Sequence, residues 1–239
     1  MSNTYNIPYL ECPNLIMNNE GIYGLKDLDL LHKHLNQYNI FNNNKTNNKK
    51  HDNKKNDNIL WFEEKYNNII PLSNKINNPV LDSYSIKTDL LITVNYLIQD
   101  ITKLIYSLES NGKTLVSINL NDIIVVNDSF FIFINEFKIC NLCAEPNLAL
   151  TYMPIPLSDY IAPEILCQKL ILPLKFHKKS CYWSLGALAL DILFECKIDI
   201  NVDRDKVIKV MRTIRFNPIY NFILRCIEKE ADNRRLVMI

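Results

Sequence analysis

The 239-residue sequence predicts an α+β protein whose first third is mainly β and whose remainder is mainly helical. Three observations carry this. Leu91, Val94, Leu97, Ile98, Ile101, Leu104, Ile105 and Leu108 recur at spacings of three and four, the period of a helix with one buried face. WSLGALALDILF, residues 183–194, is apolar on all sides, as befits a helix enclosed by others. Ahead of both, short apolar runs are separated by turn residues and show no helical ladder.

In chain order, NLIMNNEGIYGL (14–25) reads as two short strands around an Asn-Asn-Glu-Gly turn, and LKDLDLLHKHLNQY (25–38) as a short amphipathic helix. Residues 42–58 are almost purely Asn, Lys and Asp, too polar to repay the entropy of ordering, and are expected to form a disordered insert. ILWFEE (59–64) reads as a strand. The long ladder starts near Thr88 and should end at Asn111-Gly112. IIVV (123–126) and FFIFI (130–134), separated by Asn-Asp-Ser, form a hairpin. A long proline-containing loop then leads to the buried helix, and NPIYNFILRCIEKEADNRR (217–235) closes the chain as an amphipathic helix with a charged end. The domain reading is a reduced β-rich region over 1–82 carrying the 42–58 insert, followed by a helical domain over 83–239.

Twenty-seven Lys and Arg nearly cancel 26 Asp and Glu, so no overall field favours nucleic acid or a membrane, and a nucleic-acid binder would need a local patch. The start MSNTYNIPYLECPN is not a secretory signal, and no apolar run reaches the roughly 18 residues of a membrane span. Seven scattered cysteines suit reduced thiols, so the expected location is intracellular and cytoplasmic. Cys140 and Cys143 form a lone CxxC without the second pair of a zinc site. The asparagine tract and abundant Ile, Lys and Tyr resemble the product of an AT-rich genome, such as a large DNA virus or a protist; a viral origin would place the protein in the host cytoplasm or virion.

Two segments carry a family resemblance. SDYIAPEIL (158–166) precedes CYWSLG (181–186), and SLESNGKTLVSINLNDIIVV (107–126) joins the long helix to the hairpin. Their order and spacing resemble the helical lobe of the eukaryotic-type protein kinases over roughly residues 85–235. Ser110-Asn111-Gly112 matches the family's "SNG", Ala162-Pro163-Glu164 its Ala-Pro-Glu motif, and Trp183-Ser184-Leu185-Gly186 its Trp-Ser-Leu-Gly; CIEKEADNR (226–234) looks like its "CLEKDPKKR". The resemblance implies a protein-kinase-like fold with a reduced N-terminal lobe, and a buried ion pair between Glu164 and Arg234, with Trp183 and Gly186 as further structural residues.

The same alignment places Leu115-Val116-Ser117 in the His-Arg-Asp slot, Asn119 in the lysine slot and Asp122 in the metal-binding asparagine slot; the Asp-Phe-Gly slot falls on Glu136-Phe137-Lys138 if one residue is inserted in the hairpin, or begins at Asn135 if none is. Phosphoryl transfer in this family uses an aspartate to accept the substrate proton, a lysine and glycine-rich loop for phosphates, and an Asp-Asn pair for magnesium. Ser117 is neither basic nor charged. The family's arginine and buried-helix aspartate are replaced by Val116 and Cys181. Asp122 and Glu136 are the only candidates for magnesium, and Gly21 and Gly24 the only glycine pair for a phosphate-covering loop, with turn and packing roles as the alternative. Glu63 and Glu64 lie where the resemblance puts the inter-lobe hinge.

The expected function is therefore a pseudokinase, a protein-interaction or regulatory scaffold with no confident catalytic residue and no confident cofactor. Two alternatives are a divergent Ser/Thr kinase using ATP and magnesium, and an unrelated helical interaction protein. The partner class is protein, with no nucleic acid and no membrane. His32 and His34, two apart, are expected at the surface, KFHKKS (175–180) is expected to be a solvated basic loop, and Thr151, Tyr152 and Ser158 are candidate acceptors of phosphate from another kinase.

Overall fold

The computed structural model describes residues 5–6, 14–18, 20–26, 28–42, 59–77, 83–155, 159–168, 171–198 and 203–237. It is a mixed α+β protein with small antiparallel sheets, divided into two compact units: residues 1–78 with 121–136, and residues 79–120 with 137–239.

In the first unit β1 (Tyr5–Asn6), β2 (Leu15–Met17), β3 (Tyr23–Leu25) and β4 (Leu60–Trp61) form a sheet in chain order. The β2–β3 turn works because Gly21 takes φ +76° while the Asn18 side-chain oxygen accepts from the backbone amides of Glu20 and Ile22. The amphipathic helix expected over 25–38 contracts to α1 (His32–Leu35), flanked by turns, and His34 is 7% exposed instead of lying at the surface. Side by side on opposite sides of the insert, Phe41 and Phe62 form a bridge with ring centroids 4.7 Å apart, and the Asn42 amide donates to the Trp61 carbonyl. The first residue of the asparagine tract thus belongs to the fold; the other sixteen, 43–58, lie outside the described residues.

β5 (Ile69–Pro71), α2 (Leu72–Asn77), β7 (Ile123–Val126) and β8 (Phe130–Phe133) complete this unit, β7 pairing with both β5 and β8. Asn127 and Asp128 both take positive φ, the turn that matches the twist of two paired strands. The hairpin, read from the sequence as part of the helical domain, thus pairs with the N-terminal region: β5 runs antiparallel to β7 from Ile69↔Val126 to Pro71↔Ile124, and Asn14 donates to the Ile134 carbonyl at 2.8 Å.

The second unit is built on α3 (Ser83–Ser110) and α5 (Ser180–Phe194). All eight apolar positions of the sequence ladder except Leu91 are buried. From Ser180 to Leu190 every residue of α5 is buried, and α7 (Pro218–Cys226) packs on it so closely that a Cβ on Gly186 would lie 2.5 Å from the Cys226 Cβ. The terminal helix predicted to residue 235 stops at Cys226, followed by a 3-10 turn, Ala231–Asn233.

The expected proline-rich loop carries structure: β9 (Ile139–Leu142), β10 (Leu148–Thr151), α4 (Pro163–Leu166) and β11 (Leu174–His177). With β6 (Lys113–Leu115), the strands make a sheet in the order β11-β10-β9-β6. The basic loop expected over 175–180 is therefore half strand. Leu174 and Phe176 point inward, Lys175 is exposed and pairs with Glu145, and His177 contacts Asp232 at 3.0 Å. α6 (Arg204–Val210), with Asp203 as its N-cap, has no counterpart in the sequence reading. No helix among the described residues is long and apolar enough to cross a membrane.

Candidate functional site

The residues singled out by the sequence fall into three places. In the second unit, β6 and β9 pair from Lys113↔Asn141 to Leu115↔Ile139, and the Val116 amide donates to the Lys138 carbonyl, so the segment entering Ser117 is held as an extension of a sheet. Ser117 is 0% exposed, and its hydroxyl has no hydrogen-bond partner among the described residues. Asn119 is half-buried.

Cys181, where the resemblance implies an aspartate, contacts the Thr114 hydroxyl at 3.7 Å and donates to the Lys178 carbonyl at 3.4 Å. Burial pushes its thiol up to about 12, so this neutral group anchors β6 without charge. The Cys140 thiol is likewise pushed up to about 11 by burial, so it is protonated at neutral pH. Among the described residues no group of three His, Cys, Asp or Glu side chains could hold a metal ion.

In the first unit lie Asp122 and Glu136. Asp122 is buried; its Oδ1 accepts from the Asn135 side-chain amide at 2.7 Å, and its backbone carbonyl from the Ile134 amide at 2.8 Å. Glu136 Oε1 accepts from the Leu31 backbone amide at 2.7 Å. Each carboxylate braces the hairpin region through a donor of its own. A shared magnesium would need both carboxylates to turn an oxygen toward one point while these hydrogen bonds are kept or exchanged. In the second unit Phe137, which one of the two placements of the resemblance makes the aromatic of the Asp-Phe-Gly slot, is 74% exposed.

Gly24 is a packing residue: a Cβ there would meet the Trp61 ring at 2.7 Å. Gly21 borders an open cleft of about 590 Å³ lined also by Glu20, Ile22, Glu63, Glu64 and Tyr66. Three carboxylates around that glycine oppose a polyphosphate, which wants backbone amides and cations.

The third place is the most completely built. Arg234, 0% exposed, meets the Glu164 carboxylate as a two-pronged fork, Nη1 to Oε1 at 2.6 Å and Nη2 to Oε2 at 2.7 Å. Its remaining N–H groups go to the carbonyls of Glu228, Lys179 and Lys229, and its guanidinium lies 5.2 Å from the centre of the Trp183 ring. Ser180, which the sequence reading missed, donates to Glu164 Oε1 at 2.7 Å. Burial alone would raise the Glu164 carboxyl; hydrogen bonds and charge from Arg234, with Ser180, outweigh it and hold the group below its ordinary value. The clasp ties α4, the start of α5 and the turn after α7 together.

Of the candidate phosphate acceptors, Thr151 is buried with its oxygen accepting from the Met153 amide, Tyr152 is exposed, and Ser158 lies outside the described residues. No family model matches the chain, and no curated protein matches it.

Proposed function

We propose that the chain is a kinase-like module that does not transfer phosphate and instead acts as a protein-interaction scaffold. The observation that carries this reading is Ser117. At the position where the resemblance calls for the proton-accepting aspartate stands a neutral hydroxyl, fully enclosed, beyond the reach of a substrate group and without a base beside it. Around it the loss is concerted, because the partner slot in the buried helix holds a protonated thiol, Cys181, in place of a carboxylate.

Supporting the family reading are the order of elements, α3, the strands on either side of the Ser117 segment, the hairpin, and α4 before α5, together with the Glu164–Arg234 clasp. The alternative of a divergent Ser/Thr kinase needs Asp122 and Glu136 turned to a common metal, in addition to the protein donor that each accepts from, and needs a base that Ser117 does not supply.

A thermal-shift titration of the full chain with ATP, with and without magnesium, tests the reading. A ligand at a hundred times its dissociation constant adds about 2.7 kcal/mol to stability. The expected result is no shift up to millimolar ATP. A magnesium-dependent rise that Asp122→Asn abolishes would overturn it in favour of the active kinase.

A further inference from the structure

The near-neutral total charge hides a local cationic surface, and we propose that it docks on an anionic lipid bilayer with Phe216 entering the hydrocarbon. This is independent of the kinase-like reading. α6 continues through a 3-10 turn, Met211–Ile214, and buries Val207, Met211 and Ile214, which recur at spacings of four and three. Lys206, Lys209, Arg212 and Arg215 follow one another at intervals of three and occupy the opposite face. All four are exposed, and no salt bridge or side-chain hydrogen bond engages them among the described residues. The acidic residues Asp203 and Asp205 sit at the far end of the helix, where Asp203 caps it, and Arg204 pairs with Glu228.

At the end of this cationic face stands Phe216, 98% exposed. It is held there by construction: the Asn217 amide donates to the Ile214 carbonyl at 2.8 Å, closing a turn, and the Asn217 side chain caps α7 through the Ile219 amide at 2.9 Å. Both flanking anchors, Ile214 and Ile219, are buried, so the ring is presented on a rigid tip. Val210, 38% exposed, lies one turn from Lys206 at the edge between the cationic and the buried face.

A bilayer fits this combination. A protein partner would need a complementary pocket around one protruding ring, whereas lipid closes around it from every side and presents anionic headgroups to every flanking cation. Nucleic acid would satisfy the cations and stack on the ring as well, and the test below separates it from lipid.

The test is co-sedimentation of the full chain with phosphatidylcholine vesicles, with and without about a third phosphatidylserine. Binding is expected only to the anionic vesicles, weakening as salt rises. Arg212→Ala with Arg215→Ala should lower partitioning roughly fivefold per charge, and Phe216→Ala about tenfold, with melting temperatures unchanged because all three side chains are exposed. In Phe216→Trp, vesicles should shift the emission to the blue. Equal binding to both vesicle types, an unmoved emission, or binding that needs the arginines but not the ring would each overturn the proposal. Capture of a single-stranded oligonucleotide by the same residues, with vesicles ignored, would replace lipid by nucleic acid.

Discussion

At Glu164 and Arg234 two opposite charges meet with their donors and acceptors matched, the Arg234 side chain fully buried and that of Glu164 25% exposed, whereas the stretch from Leu115 to Ile118 is buried throughout and carries no charge at all. Both regions sit in the second unit, and both fall in segments where the family resemblance calls for charged residues. On the kinase-like reading proposed above, one keeps the ion pair that the resemblance implies, while the other has Ser117 and Val116 where it implies a base and an arginine. A buried ion pair is worth keeping once present, because removing one partner strands the other without solvent. Apolar groups such as Leu115, Val116 and Ile118 fill an enclosed space without such a penalty, and an unpartnered neutral hydroxyl such as that of Ser117 carries a smaller one than a stranded charge. The contrast separates what holds this unit together from what would make it react.

The sharpest way to break that contrast is Glu164→Ala. It leaves the Arg234 guanidinium buried against Trp183 with only backbone carbonyls for company, and should lower stability by about 3 to 5 kcal/mol in urea denaturation. A loss under about 1 kcal/mol would mean that the clasp is no more than a surface pair.

That clasp was legible through two short motifs seventy residues apart, and α3 through its apolar ladder. The hairpin announced itself because Asn127 and Asp128 are the residues that tolerate positive φ. What escaped did so for physical reasons. β6, β9, β10 and β11 are three or four residues long, and what stabilises them is pairing with strands far off in sequence, such as Thr114↔Cys140. In β11 the alternation of Leu174 and Phe176 with Lys175 and His177 was obscured by the lysines that follow. The assignment of the hairpin to the first unit depends on β5, whose partner strand lies some fifty residues downstream. Ser180 gave no signal as the third member of the clasp, since a serine opening a helix has many uses.

A second variant sharpens the comparison through pH. The folded Glu164 carboxyl titrates below its ordinary value of 4.5, so the ionised form favours the fold at neutral pH, and this contribution is lost as pH falls through the lowered folded value. Glu164→Gln should therefore be less stable than the wild type near pH 7, by about 1.5 to 3 kcal/mol, and the gap should close progressively below pH 4.5. Parallel stability curves down to acid would show that Gln loses shape and not charge.

The smallest expected effect belongs to Ser117→Ala, and it is the most telling about the loop. A buried hydroxyl without a partner forgoes its hydration and receives nothing in exchange, a deficit of about 1 to 3 kcal/mol when uncompensated. Alanine removes that deficit and leaves a void of one oxygen atom. The two terms nearly cancel, so stability should stay within about 1 kcal/mol of the wild type, with any change in the stabilising direction. A substantial loss in urea denaturation would show that Ser117 holds a hydrogen bond to an internal water, making the loop a polar, maintained structure. Set beside Glu164→Ala, a near-zero result at Ser117, the more deeply buried of the two sites, would show that charge and not depth separates the two regions.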